Sequence, residues 1–237
     1  MKLSARDLQF VAGVAMFRGL KPETIAHVVA PAHVVVLRPR EALVRQGDPA
    51  TAFFIVLSGL LKLYRNNPAG EEAVLEIVKP GATFSEAVAF TGNRYLVTAE
   101  AVTDARVVRV PADHFVRCNR EHPDISLAIV ASISEHMHYL VQQVEGLKAQ
   151  SGLQRVAEYL ASFSATERGG STFVLPYDKT LIARQLGLMP ESLSRAFARL
   201  RRIGVRVSAS RVTVEDVGRL RQIAANERAA ARGALRQ

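Results

Sequence analysis

The 237-residue sequence contains one cysteine, Cys118, no tryptophan and 6% aromatic residues. A single cysteine excludes an internal disulfide framework, and it excludes an iron–sulfur cluster held by four cysteines of the chain. No apolar run approaches the ~20 residues that a membrane-spanning helix needs. The N-terminus lacks a charged-then-apolar leader followed by a small-residue cleavage site. We therefore expect a protein of the reducing bacterial cytoplasm with no membrane partner.

Motifs of catalysis are also missing. The sequence has no phosphate-binding glycine loop, no metal-ligand spacing of histidine and cysteine, and no nucleophile elbow. Glu86 and Glu100 are isolated carboxylates, which solvation or hydrogen bonding explains. The sequence predicts no enzyme and no catalytic residue, and its spacing establishes no metal ligand.

Positive charge is concentrated in the C-terminal part. The chain carries 31 Lys and Arg against 22 Asp and Glu, a net charge of +9. Residues 151–237 hold 15 of these bases and 7 of the acids, whereas residues 1–150 hold 16 and 15. A local positive field favours contact with phosphates, so we expect double-stranded DNA as a partner.

Residues 179–204, KTLIARQLGLMPESLSRAFARLRRIG, have the spacing of a helix-turn-helix. Gly187 ends the first helix and Pro190 opens the second, where its missing N–H costs nothing. Leu193, Phe197 and Leu200 form an apolar stripe at helical period. An ordinary helical hairpin would show the same spacing, and the local charge favours DNA binding over it.

The other side of the second helix carries the predicted base-reading residues. Arg195 can fork onto guanine, Glu191 can accept from a cytosine amino group, and Ser194 is adaptable. Four further residues are expected to contact the DNA backbone. They are Lys179, Thr180, Arg199 and Arg202.

The remaining pattern predicts an α+β chain of three segments. Residues 1–120 begin with short helices and continue as short strands separated by turns, of which Asn66–Gly70 is the clearest hairpin turn. Residues 121–150 form one long helix, and residues 151–237 form a winged helix-turn-helix. The long helix has an apolar stripe that we interpret as the seam of a homodimer rather than a contact within one chain. Its residues are Ile129, Ile133, Met137, Leu140, Val144 and Leu147.

The chain resembles the CRP/FNR family of bacterial transcription regulators in this order of segments. Two motifs share the resemblance, Phe84-Ser85-Glu86-Ala87 and IARQLGLMPESLSRAFARL. The resemblance implies an antiparallel β-roll of the cyclic-nucleotide-binding type as an effector sensor. It also implies a homodimer on a palindrome, with RNA polymerase as a partner. Glu191, Ser194 and Arg195 resemble the FNR-type pattern, which implies a site of the type TTGAT-N4-ATCAA. Pro190 replaces an arginine of CRP-like members.

The DNR subgroup of nitric-oxide-responsive denitrification regulators is the most similar. It implies haem b in an apolar pocket, which we place at Glu86, Tyr95, Leu96 and His136. Cyclic AMP is disfavoured, because Tyr95-Leu96 stands where cyclic-AMP-binding members have an Arg-Ser pair. The alternatives are a regulator with a different effector, with a redox role of Cys118 beside Arg117 and Arg120, or with no effector. A further alternative is a cyclic-nucleotide signalling module. Activation and repression are both open.

Overall fold

A computed structural model describes residues 1–66, 72–86 and 94–234, excluding the side chains of residues 139, 142, 143, 145–149 and 226–234. The chain forms two compact units, residues 1–137 and residues 138–237. The predicted hairpin turn at residues 67–70 lies outside the described residues, as does Ala87. In the described part of the chain, no helix is long and apolar enough to cross a membrane.

The first unit begins with helices and continues as strands. Its N-terminal helices are α1 (Ala5–Ala12), a 3-10 turn (Ala15–Phe17) and α2 (Pro22–Val29). The strands are β1 (His33–Leu37), β2 (Ala42–Val44), β3 (Ala52–Ser58), β4 (Leu61–Asn66), β5 (Glu72–Val78), β6 (Thr83–Phe84), β7 (Thr98–Ala101) and β8 (Ala105–Pro111). They form two antiparallel four-stranded sheets, ordered β1-β8-β3-β6 and β2-β7-β4-β5. The predicted antiparallel β domain is confirmed.

Strand β3 shows how the sheets build two cores. Phe53 and Ile55 face one core, which contains α1, α2 and the helix that follows β8. Phe54 and Val56 face the core between the two sheets. Successive side chains of a strand point to opposite faces, so an uninterrupted apolar run is what a strand buried on both faces requires.

One glycine is required by the close approach of two strand ends. Gly59 has φ 80°, and a Cβ there would lie 2.2 Å from the carbonyl oxygen of Asp104. Only glycine allows the chain to turn so tightly between β3 and β4.

Two helices follow β8. These are α3 (Ala112–Glu121) and the long helix α4 (Pro123–Ala149), which confirms the predicted single long helix. Asn119 accepts a hydrogen bond from Ser126 at the junction, 2.8 Å.

The apolar stripe of α4 divides between two roles. Ile129 is 6% exposed and packs with Ile125 in the core of its own unit, so its assignment to the dimer seam is wrong. Ile133, Met137, Leu140 and Val144 are exposed, as the seam interpretation requires, and the Leu147 side chain lies outside the described residues. Further exposed apolar residues are Leu127, Val130 and Val141.

The second unit contains α5 (Gly152–Ala161), β9 (Ser171–Val174), α6 (Lys179–Gln185), α7 (Pro190–Arg201), β10 (Val205–Ser208), β11 (Arg211–Val214) and α8 (Val217–Ala234). The strands form one antiparallel sheet, β10-β11-β9. Helix α5 packs against α7 and α8. This is the predicted winged helix-turn-helix, with β9 as a third strand of the wing.

Candidate DNA-binding surface and effector site

Local sequence signals set the ends of α6 and α7. The Asp178 side chain accepts a hydrogen bond from the Leu181 N–H, 2.8 Å, and caps α6. Gly187 has φ 61°, a left-handed conformation that favours glycine, and the Leu188 N–H closes the turn onto the Ala183 carbonyl oxygen, 2.8 Å. Pro190 then occupies the first turn of α7. The turn therefore fixes the direction in which α7 leaves α6.

The apolar stripe of α7 is buried, as its spacing predicts. Leu193 and Leu200 are 2% and 1% exposed, and Ala196 lies between them. Ala183 of α6 is also buried, which allows the two helices to approach closely. Phe197 is half-buried, and the Lys179 ammonium lies 5.8 Å from the centre of its ring. These contacts fix α7 on its unit, so its other side is held outward.

The residues predicted to read bases lie on that exposed side of α7. Glu191, Ser194 and Arg195 are all exposed. The Ser194 hydroxyl donates to the Pro190 carbonyl oxygen, 3.0 Å, which leaves its oxygen free to accept. The Arg195 guanidinium donates to the Ser192 hydroxyl, 3.1 Å, a weak exposed contact that a guanine could replace.

The residues predicted to contact the DNA backbone surround this face. Lys179, Thr180, Arg199 and Arg202 are exposed. A shallow groove of about 200 Å³ lies between the two helices and the wing; its lining is Lys179, Ser194, Phe197, Ala198, Arg201 and Val207. It brings a predicted base contact and a predicted backbone contact onto one concave, basic surface.

Arg201 belongs to this surface and was missed by the sequence argument. The sequence assigned its neighbours Arg199 and Arg202 to the DNA backbone, but not Arg201. Arg201 lines the groove together with Val207 of the wing.

In the first unit, three titratable side chains, those of Glu76, Glu86 and His136, lie near one another at β5. His136 Nε2 of α4 lies 3.8 Å from Glu76 Oε2. The pKa of Glu76 is raised, mainly by burial. The charge of His136 opposes this effect, and the charge of Glu86 adds to it. Glu86 accepts a hydrogen bond from Thr83, 3.0 Å. Two predicted effector residues, Glu86 and His136, are therefore brought together around Glu76.

Glu76 was missed by the sequence argument. The signal was a lone acid inside the apolar strand AVLEIV, which is unusual where neighbouring positions are buried.

The other two predicted effector residues are placed differently. Tyr95 is 4% exposed in the core between the sheets, and its hydroxyl donates to the Ala52 carbonyl oxygen, 3.0 Å. The same hydroxyl accepts from the Ala52 N–H, 3.2 Å. Tyr95 thus packs between the sheets, with its hydroxyl bonded to the backbone of Ala52. Leu96 is 67% exposed.

The alternative of a redox role for Cys118 depended on a lowered thiol pKa. Cys118 is 1% exposed, and burial raises its pKa, with the charge of Glu121 adding to the effect. A backbone hydrogen bond and the charge of Arg117 lower the pKa of Cys118 without compensating for these two effects. The expectation of an activated thiol is wrong.

Glu100 is hydrogen-bonded, as expected for a structural acid. It lies 3.1 Å from the Lys62 ammonium, which also contacts Glu72 at 2.8 Å. The Tyr64 hydroxyl donates to Glu100 as well, 3.2 Å.

Family comparisons agree with this two-part arrangement. A cyclic nucleotide-binding domain family matches residues 34–122. A Crp-like helix-turn-helix domain family matches residues 154–223, which include both α6 and α7.

Individual relatives cover between 71% and 94% of the chain. A crystal structure from Ruegeria pomeroyi, provisionally described as a cyclic nucleotide binding protein, is 39% identical, covers 93% of this chain and 99% of its own, and has a TM-score of 0.68. DNR from Pseudomonas aeruginosa is 28% identical over 94% of this chain and 100% of its own, with a TM-score of 0.54. The transcriptional activator protein Anr of Pseudomonas aeruginosa is 29% identical over 71% of this chain and 70% of its own length.

Proposed function

The chain belongs to the CRP/FNR family of DNA-binding transcription regulators, and on that basis we propose that it acts as a homodimer on an FNR-type palindrome. Its relatives are transcription regulators, and the chain is not an enzyme. The proposal places it in the bacterial cytoplasm, in contact with RNA polymerase, and assigns it a small effector.

The observation that carries the DNA proposal is the exposed side of α7. Glu191, Ser194 and Arg195 are exposed together on a helix whose opposite side is buried. A helix fits the major groove of B-DNA, where arginine pairs with guanine and glutamate accepts from cytosine. The proposed half-site, TTGA with its complement, presents both bases.

The homodimer proposal is supported by the exposed stripe of α4. Val130, Ile133, Met137, Val141 and Val144 are 45–61% exposed. Val130, Met137 and Val144 are seven residues apart, the repeat of two helices packed in a coiled coil. A two-fold axis along this stripe would supply two α7 helices, matching a palindrome.

Binding to three DNA duplexes tests this proposal. Fluorescence anisotropy should give nanomolar affinity for TTGAT-N4-ATCAA and weaker binding when one half-site is scrambled. A third duplex keeps both half-sites but inserts five base pairs between them, which rotates one half-site to the opposite side of the helix. Equal affinity for all three duplexes would refute recognition of the palindrome by a dimer.

For the effector, we propose haem b that responds to nitric oxide, as in the DNR-type regulators that the sequence resembles. Haem needs an axial donor, and His136 supplies a half-exposed imidazole. Glu76 can hold the imidazole in place, as carboxylates commonly do for metal-binding histidines. Bound haem supplies an iron atom that takes up nitric oxide. A histidine beside a carboxylate fits the axial donor that haem needs.

Absorbance of freshly purified and haem-reconstituted protein tests the effector. We expect a Soret band that shifts with nitric oxide, and a changed band in His136→Ala. An unchanged Soret band in the presence of nitric oxide would reject this proposal and leave the DNA proposal standing.

A cyclic nucleotide is the second candidate effector, because the relative with 39% identity is provisionally described as a cyclic nucleotide binding protein. Calorimetry with cyclic AMP on haem-free protein separates the two candidates. Saturable binding that tightens binding to the palindrome would favour the nucleotide. DNA binding that changes with neither ligand would instead favour a regulator without an effector.

A further inference from the structure

A cluster of metal-ligating side chains lies outside both proposed sites, between α2 and α3. On α3, His114, Cys118 and Glu121 follow one another at intervals of four and three residues, so they share one side of the helix, and His122 directly follows its end. His27 belongs to the last turn of α2, which packs against α3. Its ring centre lies 5.5 Å from that of His114 and 5.9 Å from that of His122.

The donor atoms form two groups of three that share His27, and each group is compact enough to surround a metal ion. Cys118 Sγ lies 3.2 Å from His114 Nε2, and His27 Nε2 lies 3.4 Å from Glu121 Oε2. Donor atoms of His27, His114 and Cys118 all lie within 4.8 Å of one another, as do those of His27, Glu121 and His122. A tetrahedral ion bonded at about 2.1 Å to nitrogen and about 2.3 Å to sulfur holds its ligand atoms roughly 3.3 to 3.6 Å apart.

The cluster is closed on one side and open on the other. Cys118 is 1% exposed and lies in the core of the first unit with Phe115. The side chains of His27 and Glu121 are 48% and 62% exposed. A metal ion can therefore enter the cluster from solvent at His27 and Glu121 and reach the thiol of Cys118, which is buried.

We propose that His27, His114 and Cys118 bind a divalent transition metal of the zinc class, with a fourth ligand from Glu121 or His122. Imidazole and thiolate together favour zinc over calcium or magnesium, which prefer oxygen ligands. On binding, the Cys118 thiol loses its proton to solvent and its sulfur bonds the metal. The ion then joins α2 to α3, which directly precedes the long helix.

A hydrogen-bonded cluster without metal is the competing interpretation. His114 Nε2 lies 2.8 Å from the His27 carbonyl oxygen, so it can donate a proton there instead of binding metal. The two interpretations differ in whether metal binding depends on His27 and Cys118.

Cobalt titration of the full-length, untagged, thiol-reduced protein separates them. We expect about one Co²⁺ per chain and a near-ultraviolet sulfur-to-cobalt charge-transfer band that zinc abolishes by displacement. Cys118→Ser should lose the band, and His27→Gln should weaken zinc binding at least about tenfold in competition with a chromophoric chelator. His33→Gln is the matched control, since it removes a histidine of the same unit outside the cluster. It should change neither property.

Absence of saturable metal binding, or a charge-transfer band that survives in Cys118→Ser, would overturn the proposal. Equal weakening by His33→Gln and His27→Gln would overturn it as well. Because Cys118 is buried, circular dichroism must first show that Cys118→Ser folds. If it does not, the exposed His27→Gln decides the question alone, and unchanged zinc affinity in that variant refutes the site.

Discussion

Arg195 lies in the middle of α7 and Arg202 directly follows its last residue; both are exposed, and they are proposed to make different contacts with DNA. A guanidinium that forks onto one base contributes to discrimination between sequences, whereas one that contacts a phosphate contributes equally on every sequence. The distinction is measurable at the level of single side chains.

For Arg195→Ala we expect a loss of about 1–3 kcal/mol per half-site on the palindrome and weaker discrimination against substitutions at the guanine. Anisotropy on the palindrome and on single-base variants of it measures both. Arg202→Ala is the matched control and should weaken binding by a similar factor on all of these duplexes. If Arg195→Ala behaves in the same way, Arg195 contacts a phosphate.

Asp7 predicts the response of the first unit to acid. Burial by itself would raise the pKa of Asp7, but hydrogen bonds from Ser4 and the Arg106 guanidinium at 3.0 Å outweigh burial and hold the pKa below its usual range. The carboxylate therefore stabilises the fold fully above the usual aspartate range, about pH 4, and this contribution is lost as the pH falls through the lower, folded pKa.

We expect Asp7→Asn to lower the free energy of unfolding by about 1–3 kcal/mol at pH 7, because Arg106 loses a partner that is 5% exposed. The difference from the unchanged protein should shrink as the pH falls from about 5 to about 2, as measured by urea unfolding. Asp113→Asn is the control; its carboxyl pKa is also lowered by its bond to Arg117, but the group is fully exposed and its loss should go undetected. A pH-independent difference for Asp7→Asn would contradict the assignment.

At the scale of elements, α4 carries two apolar faces on one helix. Ile125 and Ile129 are buried in their own unit, while Leu127 and Val130 are 74% and 61% exposed. Adjacent positions therefore serve different interfaces, and substitutions at them should separate folding from association.

Ile129→Ala should destabilise the first unit by about 2–5 kcal/mol and leave the proposed dimer intact. Val130→Glu should dissociate the dimer, because it places charge in the proposed seam, with little effect on unfolding of the unit. Thermal unfolding and analytical ultracentrifugation measure the two effects. A Val130→Glu protein that remains dimeric would move the seam away from this stripe.

For the whole molecule, charge and symmetry together determine DNA affinity. Residues 151–237 carry 15 of the 31 basic residues but only 7 of the 22 acidic ones, so two copies would present a strongly positive surface to one duplex. Such binding releases counterions and becomes salt-dependent.

If the dimer contacts six to ten phosphates, its affinity should fall roughly 10³- to 10⁵-fold between 50 and 200 mM salt. The slope of log affinity against log salt should be shallower for a duplex with a single half-site, because fewer phosphates are contacted. Equal slopes would mean that only one subunit engages the DNA.

The sequence by itself determined the features that depend on neighbouring residues. Strand and helix positions follow from alternation and from the 3.6-residue period, and the exposed side of α7 follows from its stripe. These signals repeat within a few residues, so no knowledge of distant segments is needed. The two-residue strand β6 was too short to produce such a signal, and it depends on pairing with Phe54 and Ile55 of β3.

Only the tertiary structure decided what depends on distant partners. An apolar stripe cannot reveal which part meets its own core, so Ile129 was assigned to the wrong interface. Tyr95 bonds to Ala52, 43 residues away, and His27 meets His114 across 87 residues. His27 belongs to a different helix from His114 and Cys118, so sequence spacing alone did not reveal that cluster. Burial and charge at such sites are properties of the packed chain, because they arise only when remote segments exclude water together.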